Sequence, residues 1–145
     1  MSALTNSLKS LLSDTVTMYF VAQGFHWNVE GDDFYQYHGL FQEVYEDVYS
    51  AIDPLAEDIR KLGEYAPYTL SKFSDLRTVE PKDVRPDPKT MVKELLRINN
   101  AVIDSVAKAQ KEATKAEEQG IMNFLAERDD MHKKWRWILS ASAKS

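Results

Sequence analysis

Two histidines and two carboxylates stand at spacings that suit a metal ion. His26 is followed twelve residues later by His38, and Asp53 precedes Glu57 by about one helical turn. Imidazole nitrogens combined with carboxylate oxygens suit a transition metal that cycles between oxidation states, iron above all. These four residues are therefore the first candidates for a chemical role.

His38 and both carboxylates fall on one predicted helix, from about residue 33 to residue 62. At about 100° per residue, one stripe roughly 100° wide holds His38, Gln42, Glu46, Asp53 and Glu57. His38 and Glu57 are nevertheless about 28 Å apart along the axis, at 1.5 Å per residue. One copy of the helix therefore cannot bring both side chains to the same ion.

A second copy of the chain resolves this separation. If two such helices pack antiparallel about a two-fold axis near Asp47 and Val48, His38 of one subunit lies close to Asp53 and Glu57 of the other. His26, at the end of the preceding helix, would complete the nitrogen ligands. The spacing thus predicts two equivalent metal sites across one symmetric interface.

Hydrophobic periodicity predicts the elements that carry these residues. The first helix runs from about residue 3 to 28, and Gly31-Asp32 forms a short turn before the second, which ends at Gly63. A proline-rich connection over 64–87 follows, with a short helix at about 71–76. The third helix starts at Asp87-Pro88 and reaches about Glu118, and Gln119-Gly120 turns the chain into the fourth. The connections come in the order short loop, long crossover, short loop. This order predicts an all-α, ferritin-like four-helix bundle in a single domain, 1–145.

Composition narrows the classes of function. The chain has 145 residues, no cysteine, and 23 acidic against 18 basic side chains, a formal net charge of −5. This balance disfavours attraction to nucleic acid phosphates and favours small cations. No stretch reaches the length of a membrane span, and the first ten residues lack a basic segment followed by an apolar run. We therefore expect a soluble, cytoplasmic protein with no membrane partner.

Specific motifs are distributed along almost the whole chain: FHWNVEG at 25–31, His38, DPLAEDIRKLG at 53–63, FLAER at 124–128 and KWRW at 134–137. In these motifs the chain resembles the Dps family of miniferritins. The resemblance implies a homo-oligomer, a dodecameric hollow shell that binds Fe(II) and acts as a ferroxidase. Hydrogen peroxide is the oxidant it favours, with dioxygen as the alternative. Ferric mineral would be stored inside, which protects against oxidative damage.

The resemblance also implies which residues act. The family's iron ligands carry over to His26, His38, Asp53 and Glu57, at a site between two-fold-related subunits. Trp27 matches the tryptophan beside that site, which resembles a sink for stray oxidising equivalents. A tryptophan is more commonly a core or interface anchor, so both roles stay open for Trp27.

One departure from the family concerns the second iron. One turn after His38, where the family usually has an aspartate, this sequence has Gln42. A neutral amide is a weaker ligand that balances no cationic charge. Glu46, one turn further, is a candidate to compensate. Three functions therefore stay open: a working ferroxidase and store, a metal-binding cage with impaired oxidase activity, and a purely structural bundle.

The other departure is Pro54. Proline inside a helix removes a backbone hydrogen bond and costs about 3 kcal/mol, so Asp53 could cap a new helix instead of binding metal. Apolar residues keep helical phase from Tyr45 to Ile59, which favours a kinked but continuous helix.

Two further expectations concern charge. Family members that coat DNA resemble one another in having mobile basic tails, whereas the first ten residues here offer only Lys9 and the last ten only Arg136 and Lys144. A shell of subunits at −5 each should repel duplex DNA, so DNA binding is not expected. His132, with several charged neighbours in sequence, is expected on the solvated surface.

Overall fold

Four long helices and one short helix make up the regular structure of the computed structural model, which describes residues 2–144. The helices are α1 (Ala3–Asn28), α2 (Phe34–Lys61), α3 (Leu70–Leu76), α4 (Pro88–Lys115) and α5 (Gln119–Ala143). Helix α1 packs against α2 and α4, and α4 packs against α5. The long segment between α2 and α4 carries α3 and crosses the bundle. The predicted all-α, ferritin-like bundle with one long crossover is confirmed.

Helix ends follow the local chemistry that the sequence indicates. The Asp87 side chain accepts a hydrogen bond from the Thr90 backbone N–H at 3.0 Å, and Pro88 occupies the first helical position of α4. At the end of α2, Gly63 adopts a φ of 89°, which L side chains rarely tolerate. The Gly63 and Glu64 N–H groups donate to carbonyls of the last turn of α2. Both predicted boundaries are confirmed.

The turn between the third and fourth long helices lies earlier than predicted. Helix α4 ends at Lys115 and α5 already begins at Gln119, so Gly120 is helical and the turn falls on residues 116–118. Glu117 takes the left-handed conformation with φ of 56° and donates its N–H to the Thr114 carbonyl. The prediction placed the turn at Gln119-Gly120 because glycine commonly marks turns.

Helix α2 continues through Pro54. It extends unbroken from Phe34 to Lys61, so Asp53 lies in its interior and caps no helix. Pro54 has no N–H, so the Ser50 carbonyl lacks its usual donor one turn later. Burial of apolar residues at helical spacing on both sides of the proline, Val48, Ala51, Leu55 and Ile59, supports the continuous helix. The predicted continuity is confirmed.

The crossover is anchored by a buried carboxylate of α1. Asp14 is fully buried and accepts hydrogen bonds from the Thr78 backbone N–H and hydroxyl, each at 2.7 Å, and from the Ser105 hydroxyl at 2.5 Å. One side chain thereby joins α1, the crossover and α4. No helix within the described part of the chain is long and apolar enough to cross a membrane.

Candidate metal centre

The two histidines lie against each other at the junction of α1 and α2. Their rings stack with a centroid separation of 3.7 Å and an interplanar angle of 15°. The Nδ1 atom of His26 lies 2.8 Å from the His38 carbonyl oxygen, and Nδ1 of His38 lies 2.7 Å from the His26 carbonyl oxygen. Each histidine is thus held by the backbone of the other.

These reciprocal hydrogen bonds assign the tautomers. A carbonyl oxygen only accepts, so each Nδ1 must carry the proton and each Nε2 must carry a lone pair. Within residues 2–144, neither Nε2 atom makes a hydrogen bond. Tying one imidazole nitrogen to a carbonyl while the other stays open is the usual way a protein orients a metal-ligating histidine.

The local fold explains why the His26 carbonyl is available. Helix α1 ends at Asn28, so the His26 carbonyl belongs to the last turn, where helical acceptors lack intrahelical donors. The donor that would otherwise follow, the Glu30 N–H, bonds to the Pro86 carbonyl instead. The His26 carbonyl is therefore available to His38, which lies about one turn after the start of α2.

The carboxylates lie further along the same helix. Asp53 and Glu57 are exposed on α2, fifteen and nineteen residues after His38. At 1.5 Å per residue these positions are about 22 and 28 Å from His38 along the axis. The structure therefore brings the two histidines together within one chain and leaves the two carboxylates at the other end of α2.

Gln42 and Glu46 form a pair between these two groups. The Gln42 side-chain amide donates to a Glu46 carboxylate oxygen at 2.8 Å, on the exposed side of α2. The Gln42 amide thus orients the carboxylate of Glu46, one turn beyond the position where Gln42 replaces the family's usual aspartate. Within residues 2–144, no three histidine, cysteine, aspartate or glutamate side chains come together as a group that could hold a metal ion.

Trp27 lies beside the histidines in sequence but faces solvent. Its side chain is 66% exposed, and among the described residues it makes no ring contact. Other exposed aromatic residues are found on α1 and α2, including Phe20, Tyr35 and Tyr49. Several exposed aromatic side chains thus lie on this helix pair, and aromatic residues are enriched where proteins associate.

The expectation for His132 is wrong. It is 1% exposed, and it lies in a buried network with Arg128 and Asn99. Arg128 donates to Nε2 of His132 at 3.0 Å, so the proton is on Nδ1, which donates to the Asn99 side-chain oxygen at 2.9 Å. Burial, together with the positive charge of Arg128, lowers the pKa of His132 to about 3. This histidine is neutral at physiological pH and both its nitrogens are satisfied.

The network continues to the middle of α2. Both terminal nitrogens of Arg128 donate to the Asp47 carboxylate at 3.0 Å, and the Trp135 indole N–H donates to it at 2.8 Å. Burial pushes the pKa of Asp47 upward, but the hydrogen bonds from Arg128 and Trp135 and the charge of Arg128 outweigh it, and the pKa is lowered. The network thus fixes α5 to the segment of α2 where the two-fold axis is predicted.

The sequence contained a signal for this network. Arg128 and His132 continue the helical spacing of the buried apolar residues of α5, which are Ile121, Leu125, Trp135 and Leu139. Their position on an apolar face, not the charge of their sequence neighbours, indicates burial.

Comparison with known proteins agrees with the fold. The sequence matches the ferritin-like domain over residues 5–143. It is 32% identical over 105 residues to the "DNA protection during starvation protein" of Helicobacter pylori, covering 64% of this chain and 73% of that protein. The structure resembles Dps from Thermosynechococcus elongatus with a TM-score of 0.93 and 25% identity, covering 98% of this chain and 90% of that one.

A second solved structure has the same fold. Dps from Vibrio cholerae O1, described as a member of a broad superfamily of ferritin-like diiron-carboxylate proteins, matches with a TM-score of 0.92 and 24% identity over 97% of this chain and 89% of its own. The four-helix bundle with a long crossover, together with the match over residues 5–143, makes this chain a ferritin-like protein. Within that class, the chain belongs to the Dps family.

Proposed function

We propose that this protein is a Dps-type miniferritin that binds Fe(II) between subunits, oxidises it with hydrogen peroxide and stores the ferric product in a dodecameric shell. The ferritin-like domain and the Dps relatives support iron storage and ferroxidase activity in general. The observation that carries the proposal for this chain is the histidine pair, whose Nδ1 atoms are tied to backbone carbonyls and whose Nε2 atoms stay open.

In the proposed site, His26 and His38 of one subunit face Asp53 and Glu57 of a two-fold-related subunit. The nitrogen ligands favour a transition metal, and the carboxylates supply the negative charge that stabilises Fe(III) over Fe(II). Oxidation by peroxide at a closed site would consume both reactants of Fenton chemistry where few other molecules are exposed to them. Storage inside the shell then keeps the product from returning to solution.

The first experiment tests binding and oxidation separately. Purified assembly is loaded with Fe(II) without oxygen and then given a pulse of peroxide, while ferric absorbance and the iron that co-elutes with protein are followed. Fast oxidation with retained iron is expected. Absence of iron binding would remove the metal site and favour the structural reading of the histidines.

Mixed assemblies test whether the ligands come from two chains. His38→Ala and Asp53→Ala subunits are each expected to lose most iron oxidation as pure assemblies. In an interface between one of each, one site loses both ligands and the other is intact, because the interface is symmetric. Random mixing in equal amounts should therefore restore about a quarter of the sites. Failure of mixing to restore any activity would contradict a shared site.

A second candidate function rests on Gln42. Its amide is committed to Glu46, and it brings no charge to a second iron, so the protein could be an iron-sequestering cage with impaired oxidase activity. Gln42→Asp separates the candidates. It should change oxidation little if Glu46 already serves the second iron, and should raise the rate strongly if the dinuclear step is impaired.

The charge balance disfavours DNA as a partner. Each subunit carries −5, and a dodecamer multiplies that repulsion. We expect no retardation of plasmid DNA by the purified assembly at moderate salt, and retention of DNA would contradict this expectation.

A further inference from the structure

A chain of aromatic rings leads away from His26. The Tyr45 ring meets the His26 ring nearly edge-on, with centroids 5.2 Å apart and an interplanar angle of 69°. Tyr19 lies 6.1 Å from Tyr45 and 5.2 Å from Tyr49, again measured between ring centroids. Tyr45 and Tyr49 are one turn apart on α2, and Tyr19 of α1 touches both of them. Three phenols thus form a continuous series that starts at a proposed iron ligand.

The aromatic neighbours of the two histidines differ in chemistry. On the other side of the pair, Phe34 stacks on His38 at 4.9 Å, and its benzene ring has no hydroxyl proton to lose. Trp27 makes no ring contact within residues 2–144. Among the described residues, Tyr45 is therefore the phenol whose ring contacts the histidine pair, and the ring contacts that continue from it lead to Tyr19 and Tyr49.

The series ends near the middle of α2, at a ring in contact with solvent. Tyr19 and Tyr45 are half-buried, whereas Tyr49 is 61% exposed. The two-fold axis proposed above passes near Asp47 and Val48. In an antiparallel pair, the two Tyr49 positions would then be offset by only about 4.5 Å along the helix axes, because each lies about one and a half residues from the axis.

We propose that Tyr45, Tyr19 and Tyr49 form a redox relay that ends in a site of oxidative modification at Tyr49. The proposal rests on the proposed function, which supplies Fe(II) and hydrogen peroxide. It assigns to this chain a route by which a one-electron oxidant formed at the iron is carried away from His26 to the interface between subunits.

The chemistry balances at each step. Peroxide takes one electron from Fe(II), which gives Fe(III), hydroxide and a hydroxyl radical. The radical takes a hydrogen atom from the Tyr45 phenol, which gives water and a Tyr45 phenoxyl radical. Tyr19 and then Tyr49 each give up one electron, and the proton they release is taken up by the phenol that is re-formed. The Tyr49 radical either regains an electron from another Fe(II) and a proton from water, or couples with its counterpart.

Coupling of two Tyr49 radicals gives a stable covalent product. Two Tyr49 phenoxyl radicals from facing subunits join through one carbon–carbon bond, and the product rearranges to dityrosine without a further oxidant. The relay therefore predicts a covalent dimer linked through Tyr49 after peroxide treatment of the iron-loaded assembly. It also predicts that His26 is protected from oxidation while Tyr45 is present.

The test uses the whole assembly loaded with Fe(II) and pulsed with peroxide. Ferric absorbance and retained iron report the proposed function, and freeze-quenched electron paramagnetic resonance reports tyrosyl radicals. Mass spectrometry of digested protein locates dityrosine and oxidised His26. The variants are Tyr45→Phe and Tyr49→Phe, which keep the ring and remove only the hydroxyl. Tyr35→Phe is the matched control, since Tyr35 is on the same helix, is 86% exposed and makes no ring contact among the described residues.

The expected result is specific to the series. Tyr49→Phe should abolish the covalent dimer, and Tyr45→Phe should lower modification at Tyr49 several-fold and raise oxidation of His26 several-fold. Tyr35→Phe should behave as the unchanged protein. Normal iron oxidation with unchanged Tyr49 modification in Tyr45→Phe would overturn the relay alone, as would an equal loss in Tyr35→Phe. If iron is neither bound nor oxidised, the proposed function fails and the relay fails with it.

Discussion

The histidine pair at the α1–α2 junction and the histidine buried beneath α5 use the same side chain in opposite ways. His26 and His38 each commit one ring nitrogen to a backbone carbonyl and leave the other open. His132 commits both nitrogens, to Arg128 and Asn99, and is almost fully buried. The number of ring nitrogens that the chain itself satisfies thus separates a histidine that can bind an ion from one that holds the fold.

The largest expected effect falls on the buried network. In Arg128→Ala, the Asp47 carboxylate loses both hydrogen bonds from its charged partner, and Nε2 of His132 is left without a donor. Breaking a buried pair of this kind costs about 3–5 kcal/mol of unfolding free energy. Urea unfolding of the metal-free protein measures the loss. A cost near zero would show that the network does not stabilise the fold.

Loss of a histidine at the proposed iron site should impair iron oxidation and leave the assembly intact. His38→Ala removes an open Nε2, so we expect iron oxidation to fall by more than about 100-fold, the upper range for removing groups that merely support a ligand. Assembly should persist, which gel filtration checks. Retained oxidation in this variant would place the iron elsewhere.

The pH dependence of stability should report the burial of His132. The pKa of His132 is about 3 in the folded chain, below its value of about 6.5 in an unfolded one. Between these pH values the unfolded chain binds more protons, so stability is lost as pH falls from about 6.5 toward 3, by up to about 1.4 kcal/mol per pH unit.

His132→Gln removes the titrating group and keeps hydrogen-bonding capacity. Unfolding free energies of the two metal-free proteins are compared between pH 6.5 and 4.5, a range above the ordinary pKa of Asp47. The variant should be less stable at neutral pH but show a shallower pH slope. Parallel slopes would mean that His132 does not contribute to the pH dependence.

The smallest effect concerns ring stacking at the site. Phe34 stacks on His38 at 4.9 Å, and an aromatic contact contributes about 0.5–1.5 kcal/mol. Phe34→Leu should therefore weaken Fe(II) binding by no more than about tenfold, since 1.4 kcal/mol corresponds to a factor of ten. Anaerobic titration with Fe(II) measures this change. A loss of Fe(II) affinity as large as the loss that His38→Ala causes in the same titration would show that stacking, and not the carbonyl hydrogen bonds, orients the imidazole.

Much of the fold could be predicted because it depends on local rules. Apolar spacing predicted all four long helices, and Asp87-Pro88 and Gly63 predicted two of their ends correctly. The turn at 116–118 could not be placed, because Glu117 adopts a left-handed conformation that its residue type does not favour. For the site, spacing placed His26 next to His38, but the carbonyls that orient them became visible only in the folded chain.

Residue type and helical periodicity specify the helices, the family and the stripe of candidate ligands on α2. The helical spacing of His132 indicates its burial, but the partners of each imidazole nitrogen depend on tertiary contacts. His132 was expected at the surface because its sequence neighbours are charged, yet its environment is set by Asn99 on α4 and by Arg128 one turn before it. A hydrogen-bond partner from another helix leaves no trace in local spacing, and such partners determine whether an imidazole nitrogen stays open to an ion.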